Sequence, residues 1–302
     1  MSVFMKRLSF FICHAFILLV LPLWVRSQTR EAELNYLKYC VKILAADSMG
    51  GREAGSKQAD MAAGFIAGEF MKAKISSFFT ASYFQDFTYK RDSAVINTAN
   101  IIASIDNKAS SNIIIASHYD HIGFGGKRSR SYGKHEVHNG ADDDASGVAM
   151  MLALAKEIKA SQIKQFNFIF IAFSGHEDGL FGSEYFVKNS LKDGKNIKLM
   201  INLDMVGRAD TLNPELFVAG NDSSLTSEFI QGAAGKYQII LKNKQLTMGD
   251  HSVFASFNIP VLLFTTGMED DYHKVSDDES LINYKVMGEI EKMIMEFLIQ
   301  VK

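Results

Sequence analysis

Short apolar runs alternate with stretches of helical spacing along most of this chain. Apolar residues recur every three or four positions over residues 31–46 and 57–72, which predicts two amphipathic helices. The period then changes, because residues 78–89 and 94–105 are rich in aromatic and β-branched side chains. These two segments are predicted to be strands.

Beyond residue 105, continuously apolar strands and helices follow one another. Predicted strands cover residues 112–117, 166–173, 199–203, 215–219 and 260–265, and predicted helices cover residues 146–160, 183–190, 223–236 and 284–301. Strands that are apolar throughout are typical of parallel sheets covered by helices. We therefore predict a single α/β domain with a mixed, mostly parallel central sheet and helices on both faces.

The first residues have the character of a targeting segment rather than of the domain. Lys6 and Arg7 precede an apolar run from Leu8 to Val25, and the chain turns polar after Ser27. This order predicts a secretory signal peptide over residues 1–27 and a domain over residues 28–302. A membrane anchor is the alternative, because a run of about 18 apolar residues can just span a bilayer. We expect an exported protein, periplasmic or secreted, with no stable membrane association after cleavage.

Charge and cysteine content exclude some classes of partner and of stabilisation. The chain has 32 basic and 34 acidic residues, and no basic run of the kind that tracks phosphates. We therefore expect no nucleic-acid partner. Of the two cysteines, Cys13 leaves with the signal segment, so no intrachain disulfide remains. Cys40 lies in a helical apolar pattern and is expected to be a buried free thiol. The oligomeric state is not readable from the sequence.

Histidines and carboxylates follow the predicted strands at their ends. The residues in question are His118, Asp120 and His121, then His176 and Glu177, then Asp204, then Asp271 and His273, with Asp142–Asp144 just before a helix. Open α/β sheets bind ligands at the carboxyl ends of their strands. Three adjacent aspartates beside other carboxylates repel one another unless cations neutralise them. Mixed histidine and carboxylate ligands suit Zn²⁺ best, and Mn²⁺ or Co²⁺ less well.

The order of these motifs resembles that of the M28 zinc peptidases, which include bacterial aminopeptidases. The resemblance spans nearly all of the chain after residue 27 and implies the zinc-dependent exopeptidase fold. The matching segments are residues 44–52 (LAADSMGGR), 118–121 (HYDH), 140–147 (GADDDASG), 202–205 (NLDM), 249–251 (GDH) and 271–273 (DYH). The aspartate segment, residues 140–147, is the most specific of them.

The resemblance implies a site for two divalent metal ions, with zinc the expected metal. His118 and Asp204 would hold one ion, Glu177 and His273 would hold the other, and Asp143 would bridge both. Such a pair of cations lowers the pKa of a shared water and polarises a carbonyl, so a metal-bound hydroxide would attack the peptide bond.

Two further residues have supporting roles in this resemblance. Asp120 would accept a hydrogen bond from His118 and fix its tautomer, and Asp277 would support His273 in the same way. A cis peptide bond is implied between Asp143 and Asp144.

One position departs from the family pattern. The family has two glutamates before the Gly-Leu-x-Gly-Ser segment, and the first is the general base, but this chain has His176 followed by Glu177. His176 could itself be the base, since an unperturbed imidazole has a pKa of about 6.5. Alternatively, Asp178 takes over, or the protein binds metal with little or no hydrolysis.

The sequence therefore predicts an aminopeptidase that acts on peptide substrates, with Tyr272 as a candidate for the substrate pocket. Met248, Phe254 and Met268 are weaker candidates, and Phe254 fits a core position equally well. A metal-binding module that captures peptides without cleaving them is one alternative. The other is an acyltransferase similar to glutaminyl cyclases, which use one zinc and a tryptophan-lined pocket. The single tryptophan here, Trp24, lies in the signal segment.

Overall fold

The computed structural model describes residues 30–191, 196–246 and 248–301. The expected signal segment, residues 1–27, lies outside these described residues. The first helix, α1, covers residues 30–44 and is followed by a 3₁₀ turn at Asp47–Arg52. Cys40 is a buried free thiol on α1, as expected. Within the described ranges, no helix is long and apolar enough to cross a membrane.

Six more helices and nine strands are present in the described part of the chain. The helices are α2 (Lys57–Lys72), α3 (Gly147–Ala160), α4 (Phe181–Ser190), α5 (Ser223–Ala233), α6 (Asp250–Ser256) and α7 (Tyr284–Gln300). The strands are β1 (Ser76–Ser77), β2 (Phe84–Arg91), β3 (Ala94–Ile105), β4 (Asn112–His118), β5 (Asn167–Phe173), β6 (Ile197–Leu203), β7 (Glu215–Gly220), β8 (Ile240–Asn243) and β9 (Val261–Thr265).

One mixed sheet contains all of these strands, in the order β1-β3-β5-β4-β6-β9-β7-β8, with β2 paired to β3. The four central strands β5, β4, β6 and β9 run parallel to one another. Antiparallel pairs join this centre to the outer strands, between β3 and β5 and between β7 and β9. The predicted mixed, mostly parallel sheet is therefore confirmed in its centre.

Alternate residues of the central strands enter two different apolar layers. In β4, Ile113 and Ile115 pack into the larger cluster with α1, α2, α3 and α7. Ile114 and Ala116 face the opposite way, into a smaller cluster with residues of α4 and α6. Helices therefore cover both faces of the sheet, which is why its central strands are apolar throughout.

Local differences from the predicted elements lie mainly outside the central strands. The strand expected over residues 78–89 begins only at Phe84. Phe78 and Phe79 instead pack edge to face with ring centroids 5.1 Å apart, so their apolar character serves side-chain packing rather than strand pairing. The short elements β1, β8 and α6 had no sequence signal, since each is too short to show a period.

Helix α7 carries a buried carboxylate, Glu291, whose Oε2 has no hydrogen-bond partner among the described residues. Burial, together with the carboxylates of Glu157 and Glu33, raises the pKa of this group from 4.5 to about 8. The folded state therefore binds one more proton than the unfolded state between these two values. Stability is consequently expected to fall as pH rises through this window.

Glu291→Gln removes this ionisation and keeps the side-chain shape. We expect the free energy of unfolding to rise by ~1–3 kcal/mol at pH 8 and to change little near pH 4, as measured by urea denaturation. Glu296→Gln on the same helix is the control, because a hydrogen bond from Tyr237 lowers the pKa of that carboxyl. An equal gain from Glu291→Gln at both pH values would contradict this account.

Candidate metal centre

The parallel strands deliver the candidate ligands to one edge of the sheet. His118 is the last residue of β4 and lies opposite Phe173, the last residue of β5. Residues 174–178 follow β5, and Asp204 follows β6 directly. Because β4, β5 and β6 are parallel, the polar residues after each strand reach the same carboxyl edge.

Asp143 lies between two imidazoles, with one carboxylate oxygen facing each. Its Oδ1 is 3.3 Å from Nε2 of His118, and its Oδ2 is 3.3 Å from Nε2 of His273. The Oε2 of Glu177 is 3.1 Å from the same nitrogen of His273. On the other side, ligand atoms of His118, His176 and Asp204 all lie within 4.8 Å of one another. The structure thus brings the five expected ligands together, with Asp143 between His118 and His273.

The middle aspartate is the one that its surroundings leave available. Asp142 accepts hydrogen bonds from the backbone N–H of Gly207 and from the Ser146 hydroxyl, at 2.7 and 3.1 Å. Asp144 accepts from the backbone N–H groups of Gly147 and Met205. Backbone donors thus hold both outer side chains, whereas the carboxylate of Asp143 faces histidines. The peptide bond between Asp143 and Asp144 is cis, as the resemblance implied.

Buried polar atoms in this cluster fit a bound cation. Nε2 of His118, Nε2 of His273 and Oδ2 of Asp143 are buried without a hydrogen-bond partner among the described residues. Two carbonyls fix the tautomers, because Nδ1 of His118 donates to the Asp120 carbonyl at 3.0 Å and Nδ1 of His273 donates to the Arg128 carbonyl at 3.1 Å. Each histidine therefore turns a bare Nε2 toward Asp143, which is the arrangement that metal coordination requires.

The charges in the cluster also favour a bound cation. Burial raises the pKa of Asp143, but the neighbouring histidines outweigh it and hold that pKa well below its ordinary value. Burial lowers the pKa of His273, yet the neighbouring carboxylates of Asp143 and Glu177 raise it to about 10. Carboxylates and imidazoles stabilise each other's charge here, and a divalent cation can take the place of those protons.

Two supporting residues act differently from what the sequence suggested. The Asp120 carboxylate lies 4.0 Å from Nδ1 of His118, and it accepts instead from the backbone N–H groups of His176 and Glu177. It is the Asp120 carbonyl that fixes the His118 tautomer. The carboxylate of Asp120 instead holds the backbone of the His176–Glu177 turn.

Asp277 likewise supports the aspartate segment rather than His273. Its two oxygens accept from the backbone N–H groups of Asp142 and Asp143, at 2.9 and 3.1 Å. The sequence pattern does not show whether Asp277 accepts hydrogen bonds from backbone N–H groups or from a histidine side chain.

His176 has a carboxylate partner that the sequence reasoning missed. Its Nδ1 donates to Oδ2 of Asp250 at 2.8 Å, and its ring stacks on that of His118 with centroids 3.7 Å apart. Burial lowers the pKa of His176, but Asp250 more than offsets this and raises it to about 9. Its side chain is 18% exposed, whereas that of His118 is only 1% exposed. Residues 249–251 matched the family pattern, but nothing in the sequence indicated what Asp250 contacts.

The other candidate residues occupy distinct places. The Asp178 carboxylate is engaged by Arg91, Arg128 and the Tyr89 hydroxyl. Tyr272 stacks on the ring of His273, with centroids 3.9 Å apart. Phe254 is fully buried in the core, and Met248 and Met268 are largely exposed. Of the pocket candidates, Tyr272 is therefore the one in contact with a ligand residue.

Comparison with known proteins gives this geometry a family. The sequence model of Peptidase family M28 matches residues 100–298, about two thirds of the chain. The chain belongs to peptidase family M28. Its sequence relatives include a probable leucine aminopeptidase of Trichophyton verrucosum, 30% identical over 46% of this chain and 37% of that protein. A probable zinc metalloprotease of Pyrenophora tritici-repentis is 38% identical over 31% of this chain and 24% of that protein.

The alignments thus span well under half the length of these relatives.

Solved structures share the fold at low identity. A leucine aminopeptidase precursor from Bacteroides thetaiotaomicron superposes with a TM-score of 0.75 at 18% identity, covering 89% of this chain and 97% of that one. A glutaminyl cyclase from Porphyromonas gingivalis has a TM-score of 0.74 at 20% identity, covering 88% and 98%. The zinc exopeptidase fold of M28 is therefore shared with more than one named activity.

One buried arginine ties the metal centre of this M28 chain to its N-terminal region. The guanidinium of Arg52 is fully buried and donates to the carbonyls of Leu44, Tyr119, Asn139 and Gly140, at 2.6 to 2.9 Å. These carbonyls belong to three segments, two of which carry the ligand loops. A planar fork of donors suits such a set of acceptors better than an ammonium group does.

Arg52→Met leaves these carbonyls without their donors. We expect a loss of ~3–5 kcal/mol in the free energy of unfolding, because buried polar groups lose their partner. Urea denaturation of the metal-free protein measures it, with Arg130→Met at an exposed arginine as the control. Unchanged stability in Arg52→Met would show that water replaces the guanidinium without cost.

Proposed function

We propose that this chain is an exported, metal-dependent aminopeptidase that removes N-terminal residues from peptides. The observation that carries the proposal is the position of Asp143, with one oxygen toward His118 and the other toward His273. A carboxylate so placed is suited to bridge two cations. Membership of family M28 and relatives named as aminopeptidases and zinc metalloproteases support the class of reaction.

Two divalent cations, preferably Zn²⁺, would supply Lewis-acid polarisation of the scissile carbonyl and activation of water. His118, Asp204 and Asp143 would hold one of them, and Glu177, His273 and Asp143 the other. Asp120 and Asp277 fix the backbone of the two ligand-bearing turns. Tyr272, stacked on His273, is the proposed wall of the substrate pocket.

His176 is the proposed general base. The Asp250 carboxylate can only accept, so Nδ1 of His176 carries the proton and Nε2 is left free to take another. Partial exposure allows this ring to meet a reacting water. Because Asp250 raises the pKa of His176 to about 9, the unprotonated, basic form of the ring, and with it the rate, should increase as pH rises toward that value. Asp178 is a poor substitute because Arg91, Arg128 and Tyr89 already engage its carboxylate.

Aminoacyl-nitroanilides are the direct test of the activity. The purified protein loaded with Zn²⁺, Mn²⁺ or Co²⁺ should release nitroaniline, and chelation should abolish release until metal is restored. Substrates with a blocked α-amino group are the control and should not be cleaved. Folded, metal-loaded protein that turns over none of the substrates would contradict the proposal.

His176 variants separate the base from a metal ligand. Removal of a general base costs about 10²–10⁴-fold in rate. We therefore expect His176→Ala to lower kcat by that order while metal content stays at the wild-type level. His176→Glu should recover part of the rate. Asp250→Asn should shift the acidic limb of the pH–rate profile to lower pH, because it removes the charge that raises the pKa of His176. Loss of metal from His176→Ala would identify the residue as a ligand instead.

Cyclisation of N-terminal glutamine is the second candidate, because glutaminyl cyclases share this fold. Mass spectrometry of a peptide with N-terminal glutamine distinguishes the reactions, since cyclisation releases ammonia and cleavage releases free glutamine. Peptide binding with neither product would favour a non-catalytic module. Metal analysis adds a second criterion, because the aminopeptidase proposal requires two ions per chain.

Export is proposed from the basic and apolar N-terminal segment alone. N-terminal sequencing of the protein recovered from outside the cytoplasm should begin at Gln28. An intact N-terminus in a membrane fraction would favour the anchor.

A further inference from the structure

His121 is a buried histidine that the ligand set above does not include. It lies just past the end of β4, where its backbone forms an isolated bridge with Glu53. Its side chain is 0% exposed, and Nδ1 is 3.0 Å from Oε1 of Glu177 and 3.7 Å from Oδ2 of Asp143. It thus contacts two of the residues proposed to hold the second cation.

We propose that His121 is a fourth protein ligand to the cation held by Asp143, Glu177 and His273. This inference rests on the proposed two-metal site and adds a residue to one half of it. Ligand atoms of these four residues all lie within 4.8 Å of one another. In a tetrahedral zinc site with bonds of about 2.0–2.1 Å, ligand atoms lie roughly 3.4 Å apart. The distances of His121 and His273 to the two carboxylates, 3.0 to 3.7 Å, bracket that value.

The backbone nearby has the shape that admits the His121 ring. Gly140, which precedes the aspartate segment, has a φ of 56°, and a Cβ there would lie 2.7 Å from Cγ and Cδ2 of His121. A larger residue at position 140 would clash with the Asp143 carbonyl, at 2.3 Å, as well as with this imidazole. Nδ1 of His121 faces both carboxylates, and in its unprotonated form this nitrogen can bind a cation held between them.

Charge favours the same arrangement. Asp143 and Glu177 together carry two negative charges, which one divalent cation neutralises if both imidazoles are neutral. Two histidines and two carboxylates then fill a four-coordinate shell, which is the hallmark of a closed zinc site. The other half, with His118, Asp143 and Asp204, has three protein ligands and keeps a position open beside His176. The two metal positions would therefore differ in their number of protein ligands.

X-ray absorption of the protein with one equivalent of Zn²⁺ tests this directly. The closed position should fill first, so the spectrum should fit two imidazoles per zinc. A fit with one imidazole in His118→Ala, where the other half has lost its imidazole ligand, would overturn the proposal. This measurement uses no substrate, so it stands apart from the test of peptide hydrolysis. A protein inactive on every substrate can still show two imidazoles.

Variants of His121 give a second readout. Asparagine places an amide N–H near the position of Nδ1, so His121→Asn keeps a hydrogen-bond donor to Glu177 while weakening coordination. We expect it to lower affinity for the first Zn²⁺ by at least about 10-fold and to alter the visible spectrum of the one-equivalent Co²⁺ form. Circular dichroism of the metal-free variant checks its folding.

His135→Gln, at an exposed histidine in the following loop, is the matched control and should leave affinity and spectrum unchanged. Wild-type affinity and an unchanged Co²⁺ spectrum in His121→Asn would show that His121 is only a hydrogen-bond donor to Glu177, and the proposal would be wrong.

Discussion

Carboxylates gathered at the carboxyl edge of the sheet impose the main physical constraint on this molecule. Four aspartates are buried at this one site, namely Asp120, Asp142, Asp143 and Asp144. Burial of an uncompensated carboxylate is costly, so each needs protons, donors or cations. The local backbone is organised around that requirement, and the site follows from how each carboxylate is satisfied.

The groups that stabilise these buried carboxylates differ from one aspartate to the next, and this difference identifies the candidate metal ligand. Backbone N–H groups hold Asp120, Asp142 and Asp144, and their pKa values are raised chiefly by burial. Arg52 provides one fixed positive charge close to the cluster, although its donors all go to carbonyls. Asp143 is left with imidazoles on both sides. The aspartates with a structural role and the candidate metal ligand, Asp143, thus differ in their hydrogen-bond partners rather than in their position along the chain.

Sequence reasoning reached the fold because the central strands are buried on both faces and show it as unbroken apolar runs. It also reached the side chains that meet at the edge of the sheet, because most of them lie directly after such a run or before a helix. It failed where contacts cross between segments. Asp250 reaches His176 from a helix of seven residues, and Asp277 reaches the aspartate segment rather than the nearer His273. His121 followed the same strand as His118, yet only the packing against Gly140 shows where its ring lies.

The ligand residues extend from His118 to His273, with the last of them close to the final helix of the chain. No subset from one part of the polypeptide can form the centre, so the site exists only once residues 118–273 have folded around it. Metal binding would therefore follow folding, and the compartment in which folding ends would decide which ions are available. Under the proposed export, those ions would be the ones present outside the cytoplasm, and external metal supply would determine which ion occupies the site.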